Sequence, residues 1–171
     1  GALIASLTRA GAAVIALDIL FAEPTNPESD RALAAAIEKA PPTVLAADET
    51  LEETPHVTQL IRTDPLDLLL AAGADPGVAA VSLNRDGIMR RLPFRPDGFA
   101  ATALNLWRTA IGKPPVKLTA IPEGSPYYLQ FFGPPRSYPT VSYYQALAPE
   151  EFLPPGIFKN RVVMIGKAVK D

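Results

Sequence analysis

The amino-acid sequence predicts an α/β domain of three layers, in which helices flank a mixed, mainly parallel central sheet. Two observations carry this prediction. The apolar runs at residues 14–17 and 162–165 do not alternate with polar residues, which is typical of strands covered on both faces. Between them, apolar residues recur at helical spacing, so strands and helices alternate along the chain. We expect a single domain over residues 1–171, with about five to seven strands.

The first third of the chain predicts a βαβ unit. A short amphipathic helix at the amino terminus precedes a strand at about residues 12–19. A second helix follows over residues 28–40, with Asn26 or Ser29 available as its cap. The next strand covers residues 43–47, and we expect a right-handed crossover between the two parallel strands.

The middle of the chain predicts a loop and then a β-hairpin. Residues 48–63 are polar and acidic, which indicates an exposed loop, and Pro65 begins one or two turns of helix. The dipeptide Asp86-Gly87 lies between the apolar segments 77–83 and 88–94, a strong hairpin signal. We therefore expect an antiparallel pair that joins the sheet.

The last third contains the clearest helical pattern, over residues 100–111. An aromatic-rich strand is expected over residues 127–132 and a short helix over residues 142–147. Residues 162–165 form the last buried strand.

The composition excludes several classes of function. Without cysteine the chain forms no disulfide or cysteine–zinc site, and the single histidine, His56, allows no multi-histidine zinc site. A net charge of −2 and the lack of a basic stripe give no reason to expect nucleic acid as a partner. The early strands are not followed by a glycine-rich phosphate-binding loop. We therefore expect no cofactor and no metal.

Asp18 is the first candidate site residue, because it directly follows the first apolar run. An acid near the carboxyl end of a parallel strand faces the crevice in which open α/β folds bind ligands. Together with Asp30 it could form a paired carboxylate or hold a hard cation. A structural interpretation is favoured: Asp30 lies in the first turn of a helix, where it suits the helix dipole, and Asp18 accepts hydrogen bonds from loop N–H groups.

Four arginines, Arg85, Arg90, Arg91 and Arg95, form a second candidate, since guanidinium groups bind carboxylates and phosphates. On a strand, Arg90 and Arg91 point to opposite faces, so at most one of them faces a given crevice. We expect the other of these two to be solvated or paired with a carboxylate such as Asp18.

Four segments of the chain stand out together: VIALDILFAEP with the downstream Asp30, DGIMRRLPF, YYLQFFGPPRSYPTVSYYQAL and FKNRVVMIGKA. In this order and spacing they resemble the CHASE2 family of bacterial sensory domains, and the resemblance covers nearly the whole chain. The family's motif positions correspond to Asp18, Phe21, Asp30, Asp86, Gly87, Arg90, Arg91 and Gly166.

The resemblance implies an extracytoplasmic, ligand-sensing domain of a bacterial inner- or plasma-membrane receptor that is not itself an enzyme. Members of the family are tethered to the membrane on both sides and feed a cytoplasmic adenylate or guanylate cyclase, a histidine kinase or a related output. We therefore expect the chain to be the soluble part of a longer receptor, attached through flanking membrane helices. Because such signalling works through paired chains, we also expect a homodimer.

The predicted ligand site is the crevice above the first strand, and the ligand is an unidentified small molecule or protein partner. Its candidate ligand-binding residues are Asp18, Phe21, Asp30 and Arg90. Structural roles are expected for Asp86, Gly87, Arg91 and Gly166. Two alternatives stay open: an α/β metal-dependent hydrolase or phosphoryl-transfer enzyme that uses Asp18, and a structural module that spaces membrane segments.

Overall fold

The protein's structure, a computed structural model, describes residues 1–54, 56–81, 85–89, 91–93, 95–117, 126–128, 130–134 and 137–167, with the backbone alone for 91–93 and 126–128. The helices in this part of the chain are α1 (Ala2–Arg9), α2 (Pro27–Glu38), α3 (Asp67–Ala71), α4 (Phe99–Ala110), α5 (Tyr143–Leu147) and α6 (Pro149–Phe152). Its strands are β1 (Val14–Leu20), β2 (Thr43–Glu53), β3 (Thr58–Thr63), β4 (Ala74–Val78), β5 (Arg91–Pro93), β6 (Pro126–Tyr128) and β7 (Val162–Gly166).

β2 is the central strand of the main sheet, because it pairs with three other strands, β1, β4 and β3. Its first half pairs in parallel with β1 on one edge and with β4 on the other. β7 pairs in parallel with the far edge of β1, so the parallel strands have the order β4-β2-β1-β7. The second half of β2 pairs with β3 in antiparallel orientation. This mixed, mostly parallel sheet with flanking helices confirms the predicted α/β fold class.

Helices cover both faces of β1 and so create two cores. Ile15 and Leu17 pack on the side of α1, α2 and α3, whereas Val14 and Ala16 pack on the side of α4. Val14, Ile15 and Ala16 are completely buried. Burial of each large apolar side chain contributes about 1.5–3 kcal/mol, and here that gain is available on both faces. Two-sided burial therefore explains why the run lacks alternation.

Asn26, and not Ser29, is the cap of α2. The Asn26 side-chain oxygen accepts hydrogen bonds from the backbone N–H groups of Glu28, at 2.9 Å, and Ser29, at 3.2 Å. Pro27 opens the helix at a position where its missing N–H costs no hydrogen bond. The predicted βαβ unit is thus confirmed, with its strands joined through α2.

Most of residues 48–63 form an antiparallel ribbon, so the predicted loop is wrong. β2 continues through the acidic segment to Glu53, and β3 returns beside it with Leu51 opposite Leu60. Most side chains of this ribbon are exposed. Exposed strands carry polar residues without losing backbone pairing, which is why polarity alone indicated a loop.

The predicted β-hairpin lies only partly within the described residues. Asp86 and Gly87 occupy a turn, and Gly87 has a positive φ of 75°. Residues 82–84, 90 and 94 lie outside the described part, so pairing across this turn stays a prediction. In the described part, β5 pairs with β6 in a separate two-stranded sheet, and the antiparallel strand that joins the main sheet is β3.

Gly77→Ala is predicted to destabilise the protein, because β4 makes a close approach to α4 at this position. A Cβ there would lie 2.7 Å from the Cα of Phe99 and 3.1 Å from the Cγ1 of Val44. We expect the free energy of unfolding, measured by urea denaturation, to fall by about 1–3 kcal/mol. Gly166→Ala is the matched strand control, since a Cβ there meets only Asp18 atoms, at 3.7 and 3.8 Å. Equal stability of the two variants would contradict the prediction.

Candidate functional site

A cleft of about 340 Å³ opens at the carboxyl ends of β1 and β7, and we call it the switch-point cleft. From β1 the chain crosses to β2 on one side, whereas β7 pairs with β1 on the other. Open α/β sheets bind ligands where the strand order reverses in this way. The volume lies within the range of small-molecule sites, about 300–1,000 Å³. Most lining residues are apolar, namely Leu3, Ile4, Leu17, Ile19, Phe21, Leu33, Leu66, Leu69, Tyr143 and Ile165.

Alternate residues of one segment form a wall of the cleft. β1 contributes Leu17 and Ile19, and the loop after it contributes Phe21, Glu23 and Thr25. The even-numbered residues between them are not among the lining residues. Successive side chains of a strand point to opposite sides, so Leu17 faces the cleft side of the sheet together with Ile15.

Two contacts hold this loop over the cleft. The Asp30 carboxylate accepts hydrogen bonds from the Thr25 backbone N–H, at 3.0 Å, and from the Thr25 hydroxyl, at 2.8 Å. At the other end of the loop, the Phe21 carbonyl accepts a hydrogen bond of 2.8 Å from the Leu66 N–H. Thr25, Asp30, Phe21 and Leu66 all line the cleft, so these contacts position its rim.

Asp18 does not line this cleft, although it is near the carboxyl end of β1 as predicted. It is exposed and pairs in register with Gly166 of β7. By strand alternation its side chain lies on the α4 side of the sheet, with Val14 and Ala16. The structure therefore separates Asp18 from Asp30, which lines the cleft on the opposite side.

The other predicted positions are distributed over the molecule. Phe21 lines the cleft beside Asp30, whereas Arg90 lies outside the described residues. Asp86 accepts a hydrogen bond of 3.2 Å from the Ile88 N–H within the turn, which fits its expected structural role. Arg91 belongs to β5, for which the backbone alone is described.

The described residues do not offer the oxygen cluster that a metal-dependent enzyme needs at Asp18. Among them, no group of three or more His, Cys, Asp or Glu side chains is placed to hold a metal ion. Hard cations such as Ca²⁺ take several oxygen ligands in one place. A lone exposed carboxylate beside a glycine does not supply that arrangement.

Two further hollows lie away from the carboxyl end of the sheet. One, of about 470 Å³, follows β7 beside residues 138–141. The other, of about 330 Å³, lies between the end of α1 and residues 149–158. The first exceeds the switch-point cleft in volume, but neither lies at a strand crossover, and the switch-point cleft is therefore the candidate site.

A network of charged side chains lies on the β2–β3 ribbon. Arg95 donates hydrogen bonds to both oxygens of Glu49, one of them at 2.9 Å, and to both oxygens of Asp97, at 2.9 Å each. Arg62 donates to Asp97, at 2.9 Å, and to Asp64, at 2.8 Å. Arg95 is thus paired with carboxylates, but not with Asp18. The sequence signal for this network is the register that sets Glu49 opposite Arg62, which is visible only once residues 48–63 are recognised as strands.

The network shifts the pKa values of its members in the direction that favours the charged forms. The hydrogen bonds from Arg95 lower the pKa of Glu49 from its ordinary value of 4.5 and that of Asp97 from 3.8. The same contacts raise the pKa of Arg95. Glu49 has a side chain only 8% exposed, so Arg95 neutralises a largely buried charge.

Comparison with known proteins gives the family. A family model described as the CHASE2 domain matches residues 1–171, the whole chain. The chain belongs to the CHASE2 family. CHASE2 domains are extracytoplasmic sensory domains of signalling receptors. Neither the curated proteins nor the solved structures contain a match to the chain.

Two CHASE2 segments of the sequence supply strands that meet at the cleft. The segment VIALDILFAEP contains β1 and residues 21–24 of the loop that follows it, and FKNRVVMIGKA contains β7. The described helices of this CHASE2 domain all lack the length and hydropathy that a membrane span requires.

Glu49→Gln is predicted to lower the free energy of unfolding at neutral pH by about 1–3 kcal/mol, because it removes a charged acceptor from Arg95. The folded-state pKa of Glu49 lies below its unfolded value, so the stabilisation is complete above the unfolded pKa and is lost as pH falls through the folded pKa. The stability difference between wild type and variant therefore narrows from about pH 5 downward, which urea denaturation at a series of pH values measures.

Glu52→Gln is the control for this prediction. Glu52 lies on the same strand but is exposed, and one hydrogen bond of 3.2 Å joins it to Gln59. We expect Glu52→Gln to change the free energy of unfolding by no more than about 0.5 kcal/mol at every pH. A Glu49→Gln effect that does not change with pH would show that the loss is one of packing and not of charge.

Proposed function

We propose that this CHASE2 domain binds a small extracytoplasmic molecule in the switch-point cleft, and that binding is relayed to a cytoplasmic cyclase or kinase of the same receptor. The observation that carries the proposal is the cleft itself, an apolar hollow of about 340 Å³ at the end of the sheet where open α/β folds bind ligands. Its rim is already held in place by the Asp30–Thr25 contacts. The sensory character of the family supports the same conclusion.

The elements around the cleft suggest how a ligand acts on the rest of a receptor. Leu3 and Ile4 of α1 line the cleft together with Ile165 of β7, so one ligand touches both the first helix and the last strand of the described residues. A ligand that binds one arrangement of α1 against β7 more tightly than another shifts the equilibrium between the two arrangements, by an amount set by the difference in affinity.

We further propose that the domain works as a homodimer within a bacterial membrane receptor. Phe131, Phe132 and Tyr138 are 69%, 73% and 66% exposed, respectively. Aromatic side chains are enriched where protein surfaces meet, so this exposure supports a protein contact at that region. A metal-dependent hydrolase using Asp18 is not proposed, because the described residues include no group of three or more His, Cys, Asp or Glu side chains that could hold a metal ion.

Ser29→Trp is predicted to abolish ligand binding without disturbing the fold. Ser29 lines the cleft from the exposed first turn of α2, so an indole there occupies the mouth and leaves both cores intact. The measurement is a thermal-shift screen of wild type and variant against amino acids, amines, carboxylic acids and sugars. We expect at least one compound to raise the melting temperature of the wild type, and the variant to lose that response.

Glu28→Trp is the matched control, because position 28 is adjacent and exposed but does not line the cleft. It should retain the wild-type response. If no compound stabilises the wild type, or if hits bind Ser29→Trp unchanged, a ligand in this cleft is ruled out and an assembly or spacer role gains support. In the full-length receptor, the same hit should change cyclase or kinase output in the wild type and not in Ser29→Trp.

A further inference from the structure

We infer that the switch-point cleft selects a small amphipathic cation, such as an aliphatic or aromatic primary amine. The inference rests on the proposed function and adds the chemical class of the ligand. It depends on three features of the cleft. These are the sign of the charges in its lining, the use of the backbone N–H groups at the amino terminus of α2, and the separation of apolar from polar groups.

The polar lining is acidic and hydroxylic. Among the residues that the structure describes, it consists of the carboxylates of Glu23 and Asp30 and the hydroxyls of Thr25, Ser29 and Tyr143, with no Lys, Arg or His side chain. Gly1 also lines the cleft, so in the 171-residue chain two carboxylates stand against one α-amino group. A carboxylate or phosphate ligand would meet charges of its own sign there. Like charges about 4 Å apart repel by about 4 kcal/mol near a protein surface, before screening by salt. The cleft therefore disfavours anions.

The amino terminus of α2 does not offset this preference. Helix amino termini bind anions through free N–H groups, but those of α2 are already used. Pro27 has none, the N–H groups of Glu28 and Ser29 bind the Asn26 side chain, and that of Asp30 binds the Asn26 carbonyl at 2.8 Å. An anion at this position would find no free backbone N–H group on the first turn of α2.

Asp30 is suited to accept hydrogen bonds from an ammonium group. Each of its oxygens accepts one hydrogen bond from Thr25, which fixes the carboxylate in place and leaves further lone pairs. A primary ammonium carries three donors and no acceptor, so it matches such a site. Because the acceptor is held before the ligand arrives, little side-chain freedom is lost on binding.

The rest of the cleft fits an apolar body. Leu17, Ile19 and Ile165 line the cleft from β1 and β7, and Leu33 and Leu69 line it from α2 and α3. The rings of Phe21 and Tyr143 are also in the lining, and aromatic faces attract cations as well as apolar groups. A ligand with an apolar body and an ammonium head satisfies both parts of the lining at once.

The test is calorimetric titration of the 171-residue chain at neutral pH with three probes that share a phenyl body: 2-phenylethylamine, 2-phenylethanol and 3-phenylpropionate. We expect the amine to bind about tenfold more tightly than the alcohol, a difference of about 1.4 kcal/mol, and the carboxylate to bind most weakly. Glu23→Gln should weaken amine binding severalfold while leaving alcohol binding unchanged. Glu28 precedes the lining residue Ser29 but does not itself line the cleft, so Glu28→Gln should leave the binding of both the amine and the alcohol unchanged.

The outcomes separate this inference from the function on which it rests. Binding of the alcohol or the carboxylate as tightly as the amine, or no amine binding at millimolar concentration, overturns the cation selectivity. In that case a thermal-shift hit of another class that Ser29→Trp removes still supports a sensory cleft. The absence of any such hit rejects the proposed function itself.

Discussion

Two-sided burial of β1 and of the first half of β2 is the constraint on which the rest of the molecule depends. Helices pack against both faces of these strands, so their buried residues are apolar except for Thr43, whose hydroxyl donates a hydrogen bond to the Pro41 carbonyl. Charged residues appear where the strands emerge from the helical layers, at Asp18 on β1 and at Asp48 and Glu49 on β2. The cleft and the charged network both lie at this end of the sheet, beyond the buried parts of β1 and β2.

The buried part of the fold could be predicted from the sequence because its signals are local. The apolar run of β1, the helical spacing of α2 and α4, and the apolar run of β7 each carry their own pattern. The β2–β3 ribbon could not be predicted in this way, because an exposed strand needs no apolar residues and leaves no period in the sequence. The ribbon is held by six cross-strand pairs, among them Leu51 with Leu60 and Glu49 with Arg62, which only the structure reveals.

The site could be predicted in its place but not in its composition. The rule for open α/β sheets put a crevice above β1, and Phe21 and Asp30 do line a cleft there. Asp18 does not, because its side chain lies on the other face of β1. A strand that is covered on both faces gives the sequence no sign of which face borders the cleft. The Arg95–Glu49 pair joins residues 46 positions apart, a contact for which the sequence carries no local sign.

The odd-numbered wall of the cleft has a consequence for how this sequence can change. Leu17, Ile19, Phe21, Glu23 and Thr25 all line the cleft, and the hydrogen bonds from Thr25 to Asp30 anchor the far end of this segment. Substitution at one of them alters one patch of the wall, whereas insertion or deletion of a residue would displace the rest of the segment relative to its anchor at Asp30. Ligand preference can therefore diversify by point substitution along this segment, while its length is held constant by the geometry of the site.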